Sequence, residues 1–339
     1  MRSGSRITRR AAFIGVAAGG VLGAPAVLRA QGQVRLTLGH GQTPGNPRSV
    51  AADRMAAQLR ERSNGRIEMR VAGSEQLGSD VAMLTGLRTG TLDMSVNSQG
   101  PVSSVVPELA AFGLPFLFAD GRAAYRVIDG AMGQEIARKL EAVGLVSLGW
   151  WDNGIRHITN SKRPINRPED LRGLKIRTPA DPATIDTFQA LGAATQQVNF
   201  GELYVALQQG VVDGQENPLA NIQSAKLHEV NRFISLTSHK WECSPFVASR
   251  IAWGRLNEAD RRLIAEVGRE ATEHNRRLMG ESDAKLLAEY RANPAVSVNE
   301  AEQPLFRAGT APVLDRWEQR PIGDFVKRLR AAATAAAAT

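Results

Sequence analysis

Four side chains stand where an α/β chain would seat an anion. Arg177 closes the short alternating run LKIR just before Thr178-Pro179, and Arg156 follows the Asn153-Gly154 pair. Phe200 and Asn217 lie at or just before two expected helix starts. Ligands of α/β sheets bind outside the carboxyl ends of strands, and helix N-termini present N–H groups that no helical carbonyl accepts. Arginine suits a carboxylate in such a place, because its planar fork donates two parallel bonds. Spacing alone leaves a plainer reading open. Among 42 basic residues, an arginine is most often a surface residue or one half of a structural ion pair.

Nothing in the sequence commits to bond-making, and no cofactor or metal is expected. The Walker phosphate loop, the dinucleotide glycine fingerprint, HExxH and GxSxG are all missing from it. His40, His157, His228, His239 and His274 are scattered without metal-ligand spacing, and Glu169-Asp170 sits in the polar turn RPEDLRG. The single cysteine, Cys243, has no disulfide partner and reads as a small buried apolar residue. An enzyme with His239 as base is the alternative from another class, but no second catalytic group stands at a useful spacing.

The elements that must position these residues follow a strand–helix grammar. VRLTLGH alternates as a strand, RSVAADRMAAQLRERSNG reads as a helix closing on Asn64-Gly65, and RIEMRVA is strand again. Ser79 or Asp80 caps the helix VAMLTGLRTG, and LDMSVNS follows as strand. Residues 121–144 are helical in period with Gly130 and Gly133 weakening the middle, and LVSLGWW leads into Asp152-Asn153-Gly154. That triplet has turn chemistry, and we expect the chain to cross there to a second lobe. The grammar then repeats. Asp181-Pro182 opens a helix, Asn199 and Glu202 resemble a capping box, and VVDG is strand and turn before QENPLAN. Beyond Ser249 the chain is mostly helical, longest over 257–290, and RAAATAAAAT is a low-complexity tail, frayed or disordered. The fold class expected is α/β with a mostly parallel sheet.

The first thirty residues differ in kind. Arg6 and Arg9-Arg10 precede a weakly apolar Ala/Gly/Val run that ends on small residues, the layout of a secretory signal with twin-arginine character. Cleavage is expected near Ala26 or Ala30. A membrane anchor is the alternative, but Gly15, Gly19, Gly20, Gly23 and Pro25 leave the run poorly suited to lipid. Removing this segment takes away five arginines and no acids, so the net charge falls from +8 to +3. No basic block with interleaved aromatics appears, so nucleic acid is not an expected partner.

LKIRTPADPATIDTFQALGA, NFGELYVALQQGVVDGQENPLANI, QLGSDVAMLTGLRTGTLDM and RPINRPEDLRGLKIR together resemble the solute-binding proteins of tripartite ATP-independent periplasmic (TRAP) transporters, over about 34–293. The resemblance implies a periplasmic-binding-protein-like fold. Its two hinge-linked, discontinuous lobes would each be a mixed sheet flanked by helices. The expected boundaries are 1–30 for the signal, 31–153 with about 243–282 for one lobe, 154–242 with about 283–325 for the other, and 326–339 for the tail. It implies that Arg177 clamps a ligand carboxylate, that Arg156 is the second arginine, that Asn217 hydrogen-bonds the same acid group, and that Phe200 walls the ligand. More loosely, His239, Asn97 and Ser98 fall where the family lines its cleft, while packing explains His40 and Trp151 equally well. The implied partners are a small organic acid and the permease subunits in the membrane; the sequence leaves oligomeric state open, with monomer as the default. A sensory module presenting the ligand to a receptor would share this fold and site.

Overall fold

The expected strand–helix alternation appears in order. A computed structural model describes residues 32–338, so the segment expected to be an export signal lies outside the described residues. β1 (Val34–His40), α1 (Pro47–Arg62), β2 (Ile67–Ala72), α2 (Asp80–Thr89) and β3 (Met94–Val96) form successive parallel units, with β1 between β2 and β3. Side-chain caps set the helix starts: Asn46 accepts from the Arg48 N–H ahead of α1, and Ser79 from the Ala82 N–H ahead of α2. α3 (Gln99–Ser103) and a 3-10 segment (Pro107–Gly113) follow. Gly130 then divides the next helical stretch into α4 (Gly121–Ile128) and α5 (Ala131–Ala142).

β4 (Leu145–Asn160) leads to β5 (Lys175–Thr178), α6 (Pro182–Ala190), β6 (Ala194–Gln197), α7 (Leu203–Gln208) and β7 (Gly214–Asn217). The strand expected at VVDG is displaced, with only Gly214 of it in β7. Gly214 presses on the β4 backbone, where a Cβ would lie 2.4 Å from the Thr159 carbonyl oxygen, so the ladder starts at that glycine. α8 (Leu219–Ser224), α9 (Leu227–Val230), β8 (Phe233–Ser249), α10 (Arg250–Arg255), α11 (Glu258–Ala292), β9 (Ser297–Glu300), α12 (Gln303–Glu318) and α13 (Gly323–Ala337) complete the described chain.

The strands form one nine-stranded sheet, in the order β2-β1-β3-β8-β4-β7-β5-β6 with β9 on β8. Each half is mixed, parallel strands flanking an antiparallel one, and the halves are continuous through the long β4–β8 pair. The α/β, two-lobed class therefore holds, with the lobes sharing a sheet. Asp152-Asn153-Gly154, expected as a turn, is instead a bulge inside β4, where the register against β8 slips between Asp152 and Gly154. Local turn propensity loses here to a continuous antiparallel partner. Asn153 is the unpaired extra residue, and Gly154 beside it takes a φ of 106° that disfavours β-branched or bulky residues.

Apolar faces bury against both sides of the sheet. Leu38, Met55, Trp151, Phe246 and Val267 pack beneath the first half, and Ile158, Ile176, Phe188 and Phe306 beneath the second. Residues 330–337 of the low-complexity tail, expected to be frayed or disordered, form the last turns of α13. Phe325, Val326, Leu329, Ala333 and Ala336 fall on one buried face of that helix, which packs against α4. Alanine is the strongest helix former, so a run of it adjoining such a face extends the helix.

Candidate functional site

Arg177 is the third residue of β5. The strand's alternation sends Ile176 into the core and Arg177 to the opposite face, where it is only 4% exposed. Its Nε donates to the Val198 carbonyl at 2.8 Å, and neither terminal nitrogen has a protein acceptor among the described residues. Burial lowers its pKa to about 10, even though Glu216, Glu242 and Glu75 oppose that shift from a distance. A buried guanidinium in this condition favours an anion beside it.

Arg156 is built differently. It projects from β4 beside another register slip, with Nη2 2.7 Å from both the Glu216 carbonyl and Glu216 Oε1. Its Nε donates to the other Glu216 oxygen, and Nη1 lies 2.5 Å from Glu242 Oε2. Burial disfavours its charge, but the two glutamates hold its pKa above the ordinary arginine value. Burial likewise works against the Glu216 carboxylate, which Arg156 and His239 nevertheless keep well below the usual range. Arg156 reaches the site with its charge already matched inside the protein.

Arg177, Arg156, Asn217, Phe200 and Ser98 line one cavity of ≈ 40 Å³. Asn217 ends β7, where Pro218 caps α8; it donates to Gln215 Oε1 and accepts from Asn221 Nδ2 at 3.1 Å. Phe200 opens the short 3-10 segment before α7 and stands half-buried, with Val198, Pro101 and Pro179 as apolar neighbours in the wall. The expected capping box there does not form, and Asn199 and Glu202 meet instead through their side chains at 3.4 Å. Ser98 caps α3 and donates its N–H to Asp80 Oδ2 at 3.2 Å.

His239 and Asn97 stand behind this wall and are not among its lining residues. His239 is fully buried between Thr237 Oγ1 at 2.8 Å and Glu216 Oε2 at 3.3 Å, with its ring edge-on to Phe188. Asn97, also fully buried, donates to the Asp80 carbonyl at 3.1 Å. His239 braces the Glu216 carboxylate that pairs with Arg156, whereas Asn97 holds the backbone of Asp80, a residue of the lining. His40 and Trp151 are likewise core residues, and Trp151 packs on Phe246 with ring centroids 5.7 Å apart.

Several polar lining residues escape sequence reasoning, among them Gln42, Glu75, Asp80, Asn153, Asn221 and Glu242. Asp80 is expected from its position only to cap a helix. Asn221 carries a usable signal, since it lies four residues, one helical turn, from Asn217. Glu75, Asn153 and Glu242 come from a loop and two distant strand positions that only the tertiary fold brings together.

Residues 38–320 match DctP, bacterial extracellular solute-binding protein family 7. The chain belongs to this family. A family 7 protein of this kind is a TRAP solute-binding protein and not an enzyme. It is 55% identical to the uncharacterized protein y4mM of Sinorhizobium fredii over 313 residues, 91% of this chain but only 57% of that relative's length. Among solved structures, it is 30% identical to the sugar acid binding protein DctPAm of Advenella mimigardefordensis in complex with galactonate. The TM-score is 0.86, with 90% of this chain and 99% of that one covered. A TRAP periplasmic solute-binding protein from Sulfurospirillum deleyianum with bound succinate is also 30% identical, at TM-score 0.85, covering 89% and 99% of the two chains.

Proposed function

We propose that this protein captures a small organic acid by its carboxylate at Arg177 and delivers it to the permease subunits of a TRAP transporter. One observation carries the reading: Arg177 is buried, spends only Nε on the protein, and lines a cavity with both terminal nitrogens unspent. Charge-assisted bonds of this kind contribute about 1.5–3 kcal/mol each, so a bidentate seat supplies a large part of the roughly 8 kcal/mol behind micromolar affinity. Asn217 and Phe200 complete the seat as polar partner and wall, and the relatives bound to galactonate and succinate are consistent with an acid.

Entry requires the walls to part. The cavity is small, ≈ 40 Å³, so we infer that an acid enters between parted lobes that then close over it. We place the lobes at 31–153 with about 243–282 and at 154–242 with about 283–325, hinged at the β4 bulge. Contacts between β1-side and β7-side segments flank the cavity: Glu75 Oε2 accepts the Gly201 N–H at 3.0 Å, and Thr43 Oγ1 donates to the Ser224 carbonyl at 2.8 Å. They would break on opening. Residues 1–30 act as the export signal in this reading, and the mature protein works in the periplasm as a monomer.

Calorimetry of the purified protein against organic acids tests the capture step, with one-to-one binding and recovery of the acid unchanged as the expected result. Uptake into vesicles carrying the permease, dependent on added binding protein, tests delivery. Absence of any acid among the bound ligands overturns the reading.

A further inference from the structure

Granted the carboxylate seat at Arg177, on which it rests, we propose that the ligand is a hydroxylated monocarboxylate, recognised at its far end by Asp80 and Glu242, and that a second carboxylate is rejected. The cavity's acceptors carry this. Asp80 Oδ1 and Glu242 Oε1 are both buried without any donor from the described residues, and so is the amide oxygen of Gln42. All three residues line the same cavity as Arg177.

The partners of each group are already assigned elsewhere. Asp80 spends Oδ2 on the Ser98 N–H, and Glu242 spends Oε2 on Arg156 and Asn153. The nearby buried Arg48 is not part of the lining, and it donates to Val96, Asn153 and Ser244. Arg156 donates from all three of its nitrogens to Glu216 or Glu242. Among the lining residues, Arg177 therefore offers unspent donors, and Asp80, Glu242 and Gln42 offer unspent acceptors.

Carboxylates accept hydrogen bonds and cannot donate them. Their complement is a group with O–H donors, so hydroxyls along a carbon chain satisfy Asp80 and Glu242 while one carboxylate occupies Arg177. The Gln42 amide can rotate to present oxygen or nitrogen, which suits a hydroxyl that both donates and accepts. A second carboxylate at the far end would meet acceptors of its own sign, an arrangement that strongly disfavours binding. Burial already pushes the Asp80 and Glu75 carboxyls upward, so further negative charge there is poorly tolerated.

Three six-carbon acids separate the contributions in calorimetry on the unmodified protein: gluconate, hexanoate without its hydroxyls, and glucarate with a second carboxylate. Gluconate is expected to bind at least 100-fold more tightly than either. Asp80→Asn, which keeps the side chain's size and removes its charge, is expected to narrow the gluconate-to-glucarate ratio at least tenfold; an unchanged ratio in the folded variant removes Asp80 from the selection. Glucarate, hexanoate or succinate binding as tightly as gluconate overturns the inference while leaving the Arg177 seat intact. Tightest binding of 6-aminohexanoate overturns it in favour of an ammonium partner for the same carboxylates. Failure of every acid to bind overturns both readings. The ligand series needs no variant, so it decides the matter even where Asp80→Asn misfolds.

Discussion

Arg177 and Val198 are joined by a single hydrogen bond, Nε to carbonyl oxygen at 2.8 Å, which aims the guanidinium and leaves its outer edge unspent. A lysine cannot hold that carbonyl and still offer two parallel donors to an acid. Arg177→Lys is expected to weaken binding by about 100-fold, roughly 2–3 kcal/mol, and Arg177→Met to abolish it. Because burial disfavours the unpaired charge, Arg177→Met is expected to melt no lower than the parent without ligand. Calorimetry and thermal melts of the same samples check both outcomes. Retained affinity in Arg177→Met removes this residue from the site.

Arg156 and Glu216 form the opposite case, a cation whose needs are met internally. Removing one partner of a buried ion pair leaves an uncompensated charge and costs about 3–5 kcal/mol. Glu216→Gln is expected at the lower end of that range, because Glu242 still faces Arg156. Urea denaturation measures it. A loss below about 1 kcal/mol would mean that the pair contributes no more than a surface bridge.

The contrast between these arginines marks how far the sequence can be read. Arg177 is legible because its signal is local: an alternating run, a proline and a helix cap lie within a few residues. Arg156 has an equally suggestive local setting, but the glutamates that neutralise it stand 60 and 86 residues away. Long-range pairing of that kind leaves no local trace. The expectation that His239 lines the cleft fails for the same reason, since only the fold puts Glu216 between it and the cavity. The bulge at Asp152–Gly154 and the helical end of α13 show local composition overridden, by a strand partner in one case and an apolar helix face in the other. The order of β1, α1, β2, α2 and β3, by contrast, follows from periodicity and capping, whereas β6, β8 and β9 are not expected from the sequence.

Asp283 on α11 makes the fold itself pH-sensitive. Its Oδ1 is buried without a donor, and burial, aided by the nearby charge of Asp152, raises its pKa to about 7. An acid raised above its unfolded value is bound to its proton longer in the folded state, so stability falls as pH rises between the two values. Asp283→Asn removes that loss. It is expected to stabilise the protein on the order of 2–4 kcal/mol at pH 8 and to change little at pH 4. Thermal melts of both proteins at the two pH values check this. Equal effects at both would show that the side chain acts through packing and not through its charge.

Gly154 ties the β4 bulge to the ligand seat. With φ at 106°, a Cβ here would come 2.8 Å from Met279 Cε and 3.1 Å from Pro218 Cβ, and Pro218 directly follows Asn217. Gly154→Ala therefore combines backbone strain of about 1–3 kcal/mol with a push on the turn that carries Asn217. Gly173 is the control: its φ is 77°, but a Cβ there meets nothing within 4 Å. Gly173→Ala is expected to lose stability alone, whereas Gly154→Ala loses stability and, in the fraction that remains folded, at least tenfold in affinity for the acid. Urea denaturation and calorimetry on the two variants separate strain from displacement. Matching affinities in both would show that the bulge shapes the strand without positioning Asn217.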